Sequence, residues 1–406
     1  MERHMESLLG VVKFQLFGGK EPELNNEGVM DILREAKAQT VFLAVFPTLK
    51  GRLKEQKPSA YLQQQEFFLG EIIGNTNNFM EHGELHRLMT EKQIPYCTLK
   101  GMASAYYYPE ASLRSMGDVD YLVREEDFER AKKVVLDAGF AIDHGDAPDS
   151  KHVAFKRAPR SVWEQHRSFD TPGGAVGELI AKEIDTVIES AVPITLDGAV
   201  CMIPDTYHHG LIMLLHVISH LTSEGIGLRH LCDWAVFAER LGNEEFVRLF
   251  ESKLKQFGLW RFAQILTLVS EKYLGISHKA WADNAEISEQ LIKEVMEDIL
   301  RGGNFGKKDM NRYREIKYIS NRGERTVDEK HVLRQVITSL NQKIVTDYKW
   351  IEKRRVFLPV GWVAEGGKYV GLLLTGKRKN RGTAAMLKEA SSRKEIYSQM
   401  RLFQAE

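Results

Sequence analysis

Two segments of this 406-residue chain hold residue types whose spacing suits chemistry on phosphate. Tyr96-Cys97-Thr98-Leu99-Lys100-Gly101 is an apolar run ending in Lys-Gly. After a helix-length gap, Arg114-Ser115-Met116-Gly117-Asp118-Val119-Asp120-Tyr121-Leu122-Val123 sets Asp-x-Asp into a second apolar run. Strand side chains alternate faces, so Asp118 and Asp120 are expected to point one way and Val119 and Tyr121 into the protein. Two carboxylates a few ångströms apart repel each other unless a cation lies between them. Magnesium fits that place, since it takes hard oxygen ligands and leaves room for substrate phosphates. A glycine after a strand lets the backbone approach phosphate closely, and the N-terminus of the next helix would offer free amides. Lys100 and Arg114 add positive charge where a triphosphate would lie.

Such residues need a sheet to hold them, and the hydrophobic periods supply one. Ile94 to Leu99 reads as a buried strand, Met102 to Tyr108 as a short helix closed by Pro109, and Val119 to Val123 as a second strand. Glu125 to Ala138 reads as a helix stopped by Gly139, and Phe140–Ile142, Val153–Lys156 and Ser161–Phe169 as further strands. Ahead of this block, apolar residues from Asn26 to about Glu91 recur at threes and fours, with a break at Lys57-Pro58-Ser59. After it come helices at Tyr207–Leu221, capped by Asp205, then Leu228–Leu241, Glu244–Phe257, Phe262–Tyr273 and Ser288–Arg301. Lys330–Trp350 is a long helix candidate, Lys377, Arg378, Lys379 and Arg381 form a basic cluster, and a polar helix over Ala384–Phe403 closes the chain. The expected class is α+β: a small mixed sheet flanked by N-terminal and C-terminal helical regions, divided at 1–91, 92–204, 205–306 and 307–406.

Leu99-Lys100-Gly101, Leu113-Arg114 and Gly117-Asp118-Val119-Asp120-Tyr121-Leu122-Val123 resemble the uncharacterised nucleotidyltransferase family, a branch of the DNA-polymerase-beta-like superfamily. The resemblance extends to His216-x-x-x-His220, to Arg229-His230-Leu231-Cys232-Asp233 and, more weakly, to Gly302-Gly303-Asn304-Phe305-Gly306. Lys100-Gly101 stands where many superfamily members have Gly-Ser, and the gap to Asp118 is longer than in the minimal enzymes. What the resemblance implies is a magnesium- or manganese-dependent transfer of a nucleoside monophosphate from an NTP, in a bacterial setting. It also implies a third acid followed by His two residues on. Glu164 and His166 in Val162-Trp163-Glu164-Gln165-His166 fit that pattern, with Asp170 and Asp185 as runners-up. With Asp118, Asp120 and Glu164 as metal ligands, two-metal phosphoryl chemistry follows, in which Glu164 would hold the ion that activates an acceptor hydroxyl. Lys100, Gly101, Arg114, His166, His216, His220 and Arg229 are the candidate nucleotide-side residues.

His216 and His220 share a helix face. They could hold zinc if a third ligand existed, pack at a domain interface, or line the cleft. Arg229 and Asp233, also four apart, could pair with each other, or Arg229 could reach phosphate. A rival function is a binding or scaffolding protein that kept the fold and lost catalysis. Lys+Arg and Asp+Glu both total 56, which makes long nucleic acid the least favoured acceptor beside a small molecule, sugar phosphate or protein. Cys97, Cys201 and Cys232 are too scattered for a disulfide framework, which points to reduced thiols in cytoplasm. No window of 18 uninterrupted apolar residues occurs, so stable membrane insertion is not expected.

Overall fold

A computed structural model describes residues 2–24, 28–147, 150–158, 161–304, 308 and 393–405. The chain divides into two compact units, Met1–Asp309 with Ile396–Glu406, and Met310–Glu395. The expected Lys330–Trp350 helix and the Lys377–Arg381 basic cluster lie outside the described residues.

Four helices lead in: α1 (Arg3–Phe17), α2 (Val29–Ala38), α3 (Phe42–Gln56) and the 34-residue α4 (Pro58–Glu91). Proline at the first position of α4 suits a helix start, because its missing N–H would have no partner there anyway. Strands β1 (Tyr96–Thr98), β2 (Val119–Val123), β3 (Ala141–His144), β4 (His152–Arg157) and β5 (Ser161–His166) follow, with α5 (Met102–Ala105) and α6 (Phe128–Asp137) between them. They form one mixed sheet in the order β1-β2-β5-β4-β3. β2 runs antiparallel to β1 and parallel to β5, in a register that sets Asp120 level with Glu164.

Every residue of β2 is buried, as a strand with partners on both sides and cover on both faces must be. Val119, Tyr121 and Val123 pack with Phe128 and Val135 of α6 and with Phe155 and Trp163. Leu122, on the other face, joins Cys97 and Leu99 in the large helical core. Alternation therefore puts Asp120 on the side of the sheet that meets the helices.

That helical core is built from α8 (Thr206–Ser223), α9 (Leu228–Arg240), α10 (Asn243–Gln256), α11 (Trp260–Leu274) and α12 (Glu289–Gly302), together with α1 to α3. Asp205 caps α8 by accepting the His208 amide at 2.8 Å. Buried Gln39, just past α2, ties three elements together. Its side chain accepts the Leu228 amide at 2.9 Å and donates to the Leu300 carbonyl at 2.9 Å, which fixes the start of α9 against the end of α12.

Two elements were not anticipated individually: α7 (Gly174–Ile184) and a hairpin of β6 (Val192–Leu196) and β7 (Ala199–Ile203). Asp197 and Gly198 both have positive φ, at 47° and 78°, the geometry of a two-residue hairpin turn. The helix expected over Met102–Tyr108 is a single turn, α5, after which the Tyr107 and Tyr108 amides bond only three residues back, to Ser104 and Ala105. Cys97, Cys201 and Cys232 are buried free thiols. Among the described residues no helix is long and apolar enough to cross a membrane.

Candidate active site

The turn leaving β1 is pinned to β2, the Leu99 amide donating to the Asp120 carbonyl at 3.0 Å. Gly101 then adopts φ 55° and ψ −107°, a conformation open only to glycine, so the chain can reverse into α5 within one residue. A Cβ there would meet the Nε2 of His82, from α4, at 3.4 Å. The expected fan of free amides is reduced, since the Ala103 and Ala105 amides bond to the Lys100 and Gly101 carbonyls.

Lys100 reaches across from this turn, its Nζ 2.9 Å from Oδ1 of Asp120. His166 Nε2 lies 3.1 Å from the same oxygen and 3.7 Å from Oε2 of Glu164. Ligand atoms of Asp120, Glu164 and His166 all fall within 4.8 Å of one another. Asp118, the residue before β2, lines the same cavity. Asp120, Glu164 and His166 thus supply two carboxylates and one imidazole, with Asp118 at the cavity wall outside that group and an ammonium standing where a metal cation would be drawn. That donor set fits a divalent ion of the magnesium or manganese class. Asp170 is exposed and paired with Lys151, and Asp185 is exposed at the end of α7.

Burial and charge separate the two aspartates. Burial works against ionised Asp120, but Lys100 and His166 outweigh it and hold the carboxyl well below the usual range. Asp118 is pushed up to about 6 by burial and then by the charges of Asp120 and Glu164, with Lys100 opposing. Burial also disfavours the Lys100 ammonium, yet Asp120, Asp118 and Glu164 raise its pKa.

An acid whose folded pKa lies above its ordinary value of 3.8 binds its proton more tightly when folded. Its stabilisation is therefore complete below about pH 4 and lost as pH rises through about 6. In chelator, wild-type protein is expected to lose about 2–3 kcal/mol relative to Asp118→Asn across that window, read as denaturant midpoints. Parallel pH profiles for the two proteins would remove Asp118 as the group responsible.

The helices close the site from the other side. A cavity of about 270 Å³ is lined by Lys100, Asp118, Asp120 and Glu164 together with His216 and His220 of α8 and Arg229 and His230 of α9. Arg114 lines it too, but as half of a clamp. Its Nε and Nη2 donate to Oδ1 and Oδ2 of Asp233 on α9, each at 2.8 Å, and Tyr108 donates to the same carboxylate at 2.7 Å. Asp233 is thus held bidentately by Arg114, with the charge of Arg229 also acting on it, while Nη1 of Arg229 donates to the Ser115 carbonyl at 3.1 Å. Buried Nη1 of Arg114 has no hydrogen-bond partner among the described residues. His209, stacked on Tyr107 at 4.8 Å, lines the same wall and is held neutral by burial, its pKa about 4.

A second cavity of about 470 Å³ is bounded by His144, Lys151, His152, Phe169 and Asp170 and shares Lys100, His216 and His220 with the first.

Sequence reasoning did not single out Tyr108, His82 or His209 for this site. Nor did it join Asp233 to Arg114, because 119 residues separate them. The resemblance over Arg229–Asp233 pointed to α9, with Arg229 as its candidate residue, but not to His230.

No curated protein and no solved structure matches this chain. Residues 25–275 match a family profile described as "uncharacterised nucleotidyltransferase", a span that runs from the start of α2 through α11 and contains both walls of the cavity. Covering more than half of the chain, and both the sheet that carries Asp120 and the helices that face it, the match makes this protein a member of the uncharacterised nucleotidyltransferase family.

Proposed function

We propose that the protein transfers a nucleoside monophosphate from an NTP to an acceptor hydroxyl, with Asp118, Asp120 and Glu164 as the catalytic acids. The observation that carries this reading is the pairing of Asp120 with Glu164 across parallel strands, beside the Lys100-Gly101 turn and at the wall of a partly open cavity. The approach of Asp120, Glu164 and His166 within 4.8 Å of one another, with Asp118 lining the same cavity, supports transfer over a fold kept for binding alone. A divalent ion of the magnesium or manganese class, held by the three carboxylates, would neutralise phosphate charge and make the acceptor oxygen a better nucleophile.

The chain's own residues do the rest. Lys100 and the unpartnered Nη1 of Arg114 offer donors to phosphate oxygens, and the Asp233 clamp orients the Arg114 guanidinium. His166 fixes the Asp120 carboxylate by hydrogen bonding. Glu164 accepts the acceptor's proton as the new oxygen–Pα bond forms and the Pα–O bond to pyrophosphate breaks. The second cavity, which meets the first at Lys100, His216 and His220, is the place we assign to the acceptor.

Thermal-shift titration with magnesium or manganese and each of ATP, GTP, CTP and UTP tests the donor site. Ligand at a hundredfold over its dissociation constant is expected to add about 2.7 kcal/mol to wild type. The gain should vanish in Asp118→Asn/Asp120→Asn. Metal-dependent stabilisation that survives in the double variant would refute the proposed site.

A further inference from the structure

Three histidines converge on the helical wall of the cavity, opposite the carboxylates. His216 and His220 lie one turn apart on α8, and His230 stands in the first turn of α9. One ring nitrogen from each falls within 4.8 Å of the others. The Nε2 atoms of His216 and His220 are 2.9 Å apart, while the ring centroids of His230 lie 5.5 Å from those of both partners. A tetrahedral ion with metal–nitrogen bonds of about 2.0–2.1 Å holds its ligand nitrogens about 3.3 Å apart, so small ring rotations would complete the geometry. From sequence alone, His216 and His220 lacked a third ligand; the start of α9, fixed in place by Gln39, brings His230 to them.

We propose that His216, His220 and His230 form a binding site for a borderline transition-metal ion of the zinc class, separate from the carboxylate site and with its remaining coordination position open to the shared cavity. All three residues line that cavity, so an oxygen of a bound phosphate or acceptor is the ligand chemistry the open position would take. Three neutral nitrogen donors with no carboxylate among them select against magnesium and calcium and suit zinc, cobalt or nickel.

Charge around the trio sharpens the choice. Burial, and after it the positive charges of Lys100 or Arg229, lowers the pKa of each ring, to about 4 for His220, so each ring is neutral at neutral pH and need shed no proton to bind an ion. Those cations also oppose a dication, which leaves high intrinsic affinity for imidazole as the means of binding. Ion entry would replace the His216–His220 hydrogen bond, with the donor ring moving its hydrogen to Nδ1; ligation through Nε2 of His230 would likewise move that ring's hydrogen to Nδ1 and give up the contact, 3.4 Å, that the Gly227 amide donates to it, with no net proton change.

The test is cobalt(II) titration of the full, metal-stripped chain, followed by its visible absorption and by competition with zinc. One equivalent with a tetrahedral spectrum is expected, displaced by zinc and retained in Asp118→Asn/Asp120→Asn. His230→Ala should weaken binding more than about a hundredfold, the upper range for losing even a supporting partner. Should that buried substitution unfold the protein, as circular dichroism would reveal, His220→Asn carries the same expectation at a partly exposed ring. Failure of wild type to bind cobalt or zinc, unchanged affinity in the folded histidine variant, or loss of the site in the aspartate variant would each overturn the proposal. Because the aspartate variant is expected to keep cobalt and lose nucleotide, the two sites fail separately.

Discussion

Asp120→Asn is expected to reduce nucleotidyl transfer by at least about a thousandfold while leaving a folded protein. Asp120 accepts from both Lys100 and His166 and sits level with Glu164, so its charge orients both of those groups beside the sheet. Asparagine keeps the shape and one acceptor oxygen but removes that charge. Lys100 keeps two carboxylates nearby, Asp118 and Glu164, which limits the structural cost. Asp118 should respond as well, since Asp120 is the second cause of its raised pKa after burial, and its titration should move below about 6 in the variant. Pyrophosphate release from NTP, with water as a slow acceptor, measures the rate. A variant within tenfold of wild type would show that the chemistry does not run through Asp120.

The second large effect concerns stability. Asp233→Ala is expected to destabilise the fold by about 3–5 kcal/mol, because it leaves the Arg114 guanidinium buried without its counter-charge. Arg114 is 5% exposed and loses both charge-assisted hydrogen bonds, while Tyr108 loses its acceptor. Desolvation of an unpaired cation dominates this cost, so a paired apolar replacement should behave differently. Arg114→Met/Asp233→Leu is expected to recover most of the stability, and a urea double-mutant cycle measures the coupling. A loss under about 1 kcal/mol for Asp233→Ala would mean that the clamp is solvated rather than structural.

Legibility in the sequence followed the range of the forces involved. β2 was readable to the residue, because a run of five apolar or alternating residues between turn signals has few other ways to fold. The side-by-side placement of Glu164 and His166 also followed from a period of two. Asp197-Gly198 carried an equally plain hairpin signal that composition-level reading of residues 170–200 passed over. Helix α7 was masked by Pro172-Gly173-Gly174, which reads as loop although the helix begins at the second glycine. Partnerships across the chain were another matter. Arg229 and Asp233 satisfied the i,i+4 rule, yet a stronger bidentate partner arrived from Arg114, and nothing local announces a contact between a turn ahead of β2 and a helix 119 residues later. The end of α5 was likewise not marked locally: the Tyr107 and Tyr108 amides that follow it bond only three residues back.

The contact between Lys100 and Asp120 bears on how ligands are admitted. With its own ammonium seated on the buried carboxylate, the protein supplies Asp120 with an internal counter-charge. Cation uptake at Asp120 would displace that ammonium. A phosphate that drew Lys100 away would leave Asp120 with His166 alone and raise its affinity for an incoming cation. By reciprocity, a cation at Asp120 would release Lys100 and strengthen phosphate binding by the same factor. One side chain moving between two partners would then make the two ligands cooperative, with no rearrangement of the sheet or the helices around it.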